Sequence, residues 1–269
     1  MLTENDSFIP CDKDIDFPVT LKKVFTEDGN EVARARAVVR TDTNQAISMV
    51  SDRYKIITHR TMLDAAEPFI RELGKPEVKI VPERKGARML ATFVFKNHTV
   101  EIGDKNRAAL RITMRSGYHA GASASIEVAC LVLECLNMCI ASEKTIFALS
   151  VRHAGDVTAF EFPKPEIVLT AFTSQEGIMN QYNDKKLTIE QGKEFLVRDD
   201  VTNALPERSR KSIAGTWEAE YGPKQDTVWD LLQHTTYNIT HNTPQLSLTG
   251  RLQRLAKTAR IFNTAFAGY

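Results

Sequence analysis

The chain has 269 residues, of which 42% are hydrophobic and 26% charged, with 35 Lys and Arg against 34 Asp and Glu and a formal net charge of +1. That composition suits one large or two modest globular domains with a real core. With no run of 18 apolar residues it excludes a membrane-spanning helix. The near-zero net charge hides a gradient. Residues 1–33 hold three basic and eight acidic side chains, residues 34–160 nineteen and thirteen, and the 39 residues from Leu231 onward four and none. An acidic head, a mildly basic middle and an acid-free tail fit a protein that handles a polyanion with part of its surface. The acidic N-terminus lacks the layout of a secretion signal, so a cytoplasmic location, with no membrane partner, is expected.

Taken in chain order, residues 32–41, a turn at Asp42-Thr43-Asn44 and residues 46–58, broken at Ser51-Asp52, predict a β-hairpin. Residues 62, 63, 66, 69, 70 and 73 form an apolar helical stripe ended by Gly74 and Pro76, with Pro68 predicting a kink or an early stop. Strands are expected at 77–81, 88–95, 99–102, 107–115, 121–128 and 145–151. Residues 129–141 are too uniformly apolar for their period to separate strand from helix. Composition shifts at Phe162-Pro163-Lys164-Pro165, and helices are expected at 166–182, 188–197, 206–220, 226–241 and 247–267. Thr188 and Gln191 fit a capping box. These elements predict an α+β fold, with an antiparallel sheet and packing helices in a β-rich domain over 1–160 and a helical region over 166–269 packed on it.

Two strands carry arginines at alternate positions: Arg34, Arg36 and Arg40 in one, Arg107, Arg111 and Arg115 in the other. Strand side chains alternate between faces, so each run predicts an apolar face toward a core and a guanidinium row opposite. A guanidinium row suits phosphate. Tyr54 and Tyr118, with His119, are candidate stacking groups at strand ends, and Arg152-His153 ends a strand where a polyanion could be touched. The bland alternative for the arginines is an ordinary solvated face.

Other constellations are weaker. Cys130, Cys135 and Cys139 lie in an apolar run at spacings unlike those of zinc sites, which predicts buried thiols and no metal. No phosphate-binding G-x-x-x-x-G-K-[ST] loop or G-x-S-x-G elbow occurs, and no cofactor is implied. His234 and His241 are two helical turns apart, and Trp217 and Trp229 read as core.

Several phrases together resemble the family known as domain of unknown function 932, of phage, prophage and plasmid proteins. Arg40-Thr41-Asp42-Thr43-Asn44 resembles its R-x-D-T-G, with Asn in place of Gly, and Val50-Ser51-Asp52-Arg53-Tyr54 its V-S-D-R-Y. Cys135-Leu136-Asn137 is similar to its C-S-N, Arg152-His153-Ala154-Gly155 to its R-H-T-G, and Thr227-Val228-Trp229-Asp230-Leu231, with Thr240-His241, to its T-L-W-D-L…T-H. The resemblance implies a mobile-element setting and brings no activity with it. The leading expectation is a non-enzymatic protein that binds single-stranded DNA in recombination or replication. By fold-level analogy with strand-annealing proteins, which often form rings, a homo-oligomer belongs to that expectation. The alternatives are a protein-binding regulator or anti-host factor, and an enzyme with a site near Arg152 and His153.

Overall fold

The computed structural model describes residues 9, 13–104, 106–119, 123–132, 138–139, 147–153, 161–202, 205, 207–221, 226–242 and 248–267. The fold is α+β. A three-stranded antiparallel sheet has the order β1-β2-β3, from Val19–Phe25, Glu31–Arg40 and Ala46–Ser51. A six-stranded sheet orders β4 (Glu77–Glu83), β5 (Arg88–Ile102), β6 (Asn106–Gly117), β7 (Ser123–Val132) and β8 (Met138–Cys139), with β9 (Phe147–Arg152) also pairing on β7. The chain divides into two compact units that one cut cannot separate. The first comprises 1–95, 112–128 and 147–167, the second 96–111, 129–146 and 168–269.

In the first unit, β2 and β3 form the expected hairpin, and the Asn44 turn needs a left-handed residue (φ 55°), the place where glycine stands in the family motif. Strand β1, which carries no alternation strong enough to predict it, pairs along β2. Helix α1 (His59–Leu73) starts at the Thr58 cap, whose side chain accepts from the Thr61 N–H, and buries Met62, Leu63, Ala66, Phe69, Ile70 and Leu73. Pro68 neither stops nor shortens it. Pro68 and Asp64, whose carbonyl loses its usual partner, both lie exposed, so water can satisfy that group. The small core of this region joins Phe17, Val38, Val50 and Tyr118.

In the second unit, helices α2 (Pro165–Asp184, from Val168 onward), α3 (Ile189–Val197), α4 (Asp199–Thr202), α5 (Glu207–Tyr221), α6 (Val228–His241) and α7 (Leu248–Phe262) follow in order. The ribbon of β10 (Lys186–Leu187) with β11 (Asp226–Thr227) is added to them. The Thr188–Gln191 capping box forms, and a second, Thr227–Asp230, starts α6. Trp217 and Trp229 are buried, as expected of core. His234 is buried against Thr216 while His241 is exposed, so they share no site. After α7 the chain continues as a π-helical turn, Asn263–Ala267.

Candidate polyanion interface

The two arginine rows do not share a sheet. Strand β2 belongs to the three-stranded sheet and β6 to the six-stranded one. Within β2 the alternation itself breaks. Arg34 is left-handed (φ 58°), and the pairing with β1 slips between Lys23 and Phe25, a bulge that resets which face each side chain takes. Arg34 is exposed, whereas Val38, of the same parity as Arg36 and Arg40, is fully buried. Arg36 reaches Glu31 at 3.4 Å and donates to the Ala35 carbonyl at 2.8 Å. Arg40 grips Asp42 with two bonds, 3.0 and 2.7 Å, and lies 3.8 Å over the Phe17 ring.

Strand β6 is covered on both sides, with residues 108 to 114 all buried, as befits an inner strand. Arg111 is therefore buried, not exposed. Arg115 is paired with Glu127 on the neighbouring strand, and Arg107 is exposed in the second unit. A continuous guanidinium track along both strands is not what these residues form. Tyr118 is fully buried, its ring 4.4 Å from that of His59 and 5.8 Å from that of Phe17, which removes it as a platform for a base. The side chain of Arg152, and Cys11, Cys135 and the Cys139 side chain, lie outside the described residues; Cys130 is buried. Among the described residues no group of three His, Cys, Asp or Glu could hold a metal ion.

What the first unit does assemble is a cationic patch around a histidine–tyrosine cluster. The segment after β3, residues 52–58, is tied to β2 by Asp52 N–H donating to the Arg34 carbonyl (3.1 Å). It is tied to the end of β9 by Lys55 N–H donating to the His153 carbonyl (2.6 Å), while His153 Nδ1–H donates back to the Lys55 carbonyl (3.3 Å). Tyr54 stacks flat on His153, with centroids 4.7 Å apart and planes at 10°. The β4–β5 turn is joined to the same region. His59 Nε2–H donates to the Gly86 carbonyl (2.9 Å), Tyr118 N–H to the Ala87 carbonyl (2.9 Å), and Arg88 Nε–H to His119 Nε2 (3.1 Å).

That turn runs through three successive left-handed residues, Arg84, Lys85 and Gly86 (φ 51°, 58° and 82°). A β-carbon on Gly86 would lie 2.6 Å from the Phe17 ring and 2.7 Å from the Asp14 carbonyl, so only glycine fits. Two non-glycine residues held left-handed cost about 1–2 kcal/mol each, a strain that tends to collect at working surfaces.

The resulting charge is positive. Arg34, Arg53, Lys55, Arg84 and Lys85 are exposed and make no ion pair among the described residues. With Arg88 they set six cations against Asp52 and Glu83 in these segments. Burial, then the neighbouring Arg88 and Arg84, push the His119 pKa down. His153 is lowered by burial and by His119, and His59 falls to about 4, chiefly through burial. Burial and the nearby Tyr118 raise the Tyr54 phenol. All three imidazoles are therefore neutral near pH 7. His59 Nδ1, His119 Nδ1 and His153 Nε2 are buried with no hydrogen-bond partner among the described residues. Of the residues expected at the interface, Arg34, Tyr54 and His153 meet here, with Tyr118 beneath as support. Arg53, Lys55, Arg84, Lys85, Arg88 and His59 were missed, although Arg84-Lys85-Gly86 is a readable turn signature.

The fold and patch define an α+β protein with a basic surface on its first unit, laid over buried His59 and His153. The family described as domain of unknown function (DUF932) matches residues 46–263, and the chain belongs to it. No curated protein and no solved structure matches the chain. Among the described residues no helix is long and apolar enough to cross a membrane.

Proposed function

We propose that the chain binds nucleic acid, with single-stranded DNA as the ligand, in a recombination or replication process. The observation that carries this reading is the group of five exposed cations without ion pairs among the described residues, Arg34, Arg53, Lys55, Arg84 and Lys85, held on strand β2, the segment after β3 and the β4–β5 turn of one unit. Phosphates supply most of the affinity in such binding and are indifferent to sequence. Tyr54, half-buried on His153, offers one ring beside the cations, enough to favour an unpaired base. The arginines of the strand rows that are already neutralised, Arg36, Arg40 and Arg115, contribute packing and pairing, not phosphate contacts.

Fluorescence anisotropy of a short labelled oligonucleotide at several salt concentrations tests the reading. Affinity should fall linearly on log–log axes, by about 0.7 in slope for each phosphate neutralised. The absence of binding at low salt would reject it and favour a protein-binding role instead.

A further inference from the structure

The second unit contains an open cleft of about 400 Å³ between α3, β10 and the π-helical turn. The geometry points to this cleft as a binding site for a phosphorylated nucleoside, separate from the patch on the first unit and independent of what that patch binds. Its volume lies in the range that holds small ligands, roughly 300–1,000 Å³.

Three cations line it, Lys185, Lys186 and Arg198, against the single carboxylate of Glu194. The half-buried Phe266 forms its apolar wall, backed by the buried Phe195, their rings 4.9 Å apart. Aromatic wall and cations together match a planar base joined to a phosphate; neither alone would select one. The cations are placed to serve both parts. Lys185 Nζ donates to the Phe266 carbonyl (3.3 Å) and sits 5.4 Å from the centre of its ring. Arg198 lies 5.4 Å from the Phe195 ring centre and holds Asp200 with two bonds, 3.1 and 2.9 Å.

That Arg198–Asp200 pair is largely exposed, 44% and 42%. Exposed pairs contribute only about 0.2–1 kcal/mol, so a dianionic phosphate can take the guanidinium from Asp200. Glu194 remains able to accept from a ribose hydroxyl or an exocyclic amine. The wall is also an unusual piece of backbone. The π-helical turn Asn263–Ala267 supplies Phe266, and Asn263 within it accepts from the Tyr182 hydroxyl on α2. Such turns are rare and recur at functional sites.

Isothermal titration of the full chain with adenosine monophosphate, adenosine, inorganic phosphate and a 5′-phosphorylated trinucleotide tests the site. Adenosine monophosphate should bind saturably, and adenosine and phosphate each about tenfold more weakly, since each keeps part of the contacts. Lys186→Gln with Arg198→Gln should weaken the monophosphate about tenfold. Arg198→Gln alone, at an exposed helix end, is the fallback if the double variant does not fold. Phe266→Leu should weaken adenosine and the monophosphate while sparing phosphate. Arg71→Ala, on α1 and paired there with Glu67, should change none of these affinities. Tighter binding of the trinucleotide, lost on Arg198→Gln, would identify the ligand as a strand end; preference for the monophosphate would identify a free nucleotide. The proposal is overturned if adenosine monophosphate does not bind and the trinucleotide is not weakened by Arg198→Gln, or if both bind unchanged to the Arg198 variant.

Discussion

His59 should make this protein lose stability as the pH drops through the range below neutrality. It is fully buried, donates to the Gly86 carbonyl, packs against Tyr118 and Phe17, and its pKa falls from 6.5 to about 4. The unfolded chain therefore takes up a proton near pH 6.5 that the folded chain refuses until about pH 4. Stability is complete above pH 6.5 and declines as pH falls between those values. From pH 6.5 to about 5 the penalty from this residue is roughly 2 kcal/mol, at 1.36 kcal/mol per pH unit. His153 and His119 are shifted the same way and add to the decline. Urea unfolding at about pH 7.5 and about pH 5, for the parent and His59→Gln, isolates the term because few carboxylates titrate there. The amide of glutamine can still donate to the Gly86 carbonyl, but it cannot take up a proton. The variant should lose about 2 kcal/mol less than the parent between the two pH values. An equal loss in both would refute the assignment of His59 as a buried neutral imidazole.

Further outcomes follow from single positions. Gly86→Ala places a methyl 2.6 Å from Phe17 at φ 82° and should cost about 2 kcal/mol or more, read as a lowered urea midpoint. Asn44→Gly relieves a left-handed asparagine but removes the 2.7 Å bond from Lys22, so thermal melts should show a gain of no more than about 1 kcal/mol. Arg111→Ala truncates a fully buried side chain and should lower stability by about 3 kcal/mol, while leaving the salt slope of oligonucleotide binding unchanged in anisotropy.

The helices were legible because their signals are local. The stripe from Met62 to Leu73 and the Thr188–Gln191 box each place chemistry within a turn or two of its consequence. The arginine faces misled for reasons that alternation cannot contain. At Arg34 a bulge shifts the faces. On β3 a second irregularity, between the partners of Val38 and Val39, accompanies burial of both valines. On β6 the assumption of one wet face fails, because an inner strand buries both and takes Arg111 with it. The Arg115–Glu127 pair joins neighbouring strands, and nothing near Arg115 in sequence announces its partner. Tyr54 and His153, although 99 positions apart, both fell within family-like motifs, and their stacking is the part of the site that sequence came closest to marking.

If, as proposed, the exposed cations of this patch contact phosphates, removing them must change how binding depends on salt. Oligonucleotide anisotropy across salt, compared for two triple variants that remove equal charge, reads that change. One carries Arg53→Ala, Arg84→Ala and Lys85→Ala; the other carries Arg60→Ala, Arg71→Ala and Lys211→Ala, whose side chains are each paired four residues along a helix with Asp64, Glu67 and Glu207. The first variant should weaken binding and reduce the salt slope by about 2, at roughly 0.7 per phosphate, while the second leaves the slope near that of the parent. Equal losses in the two variants, or an unchanged slope in the first, would contradict the proposal.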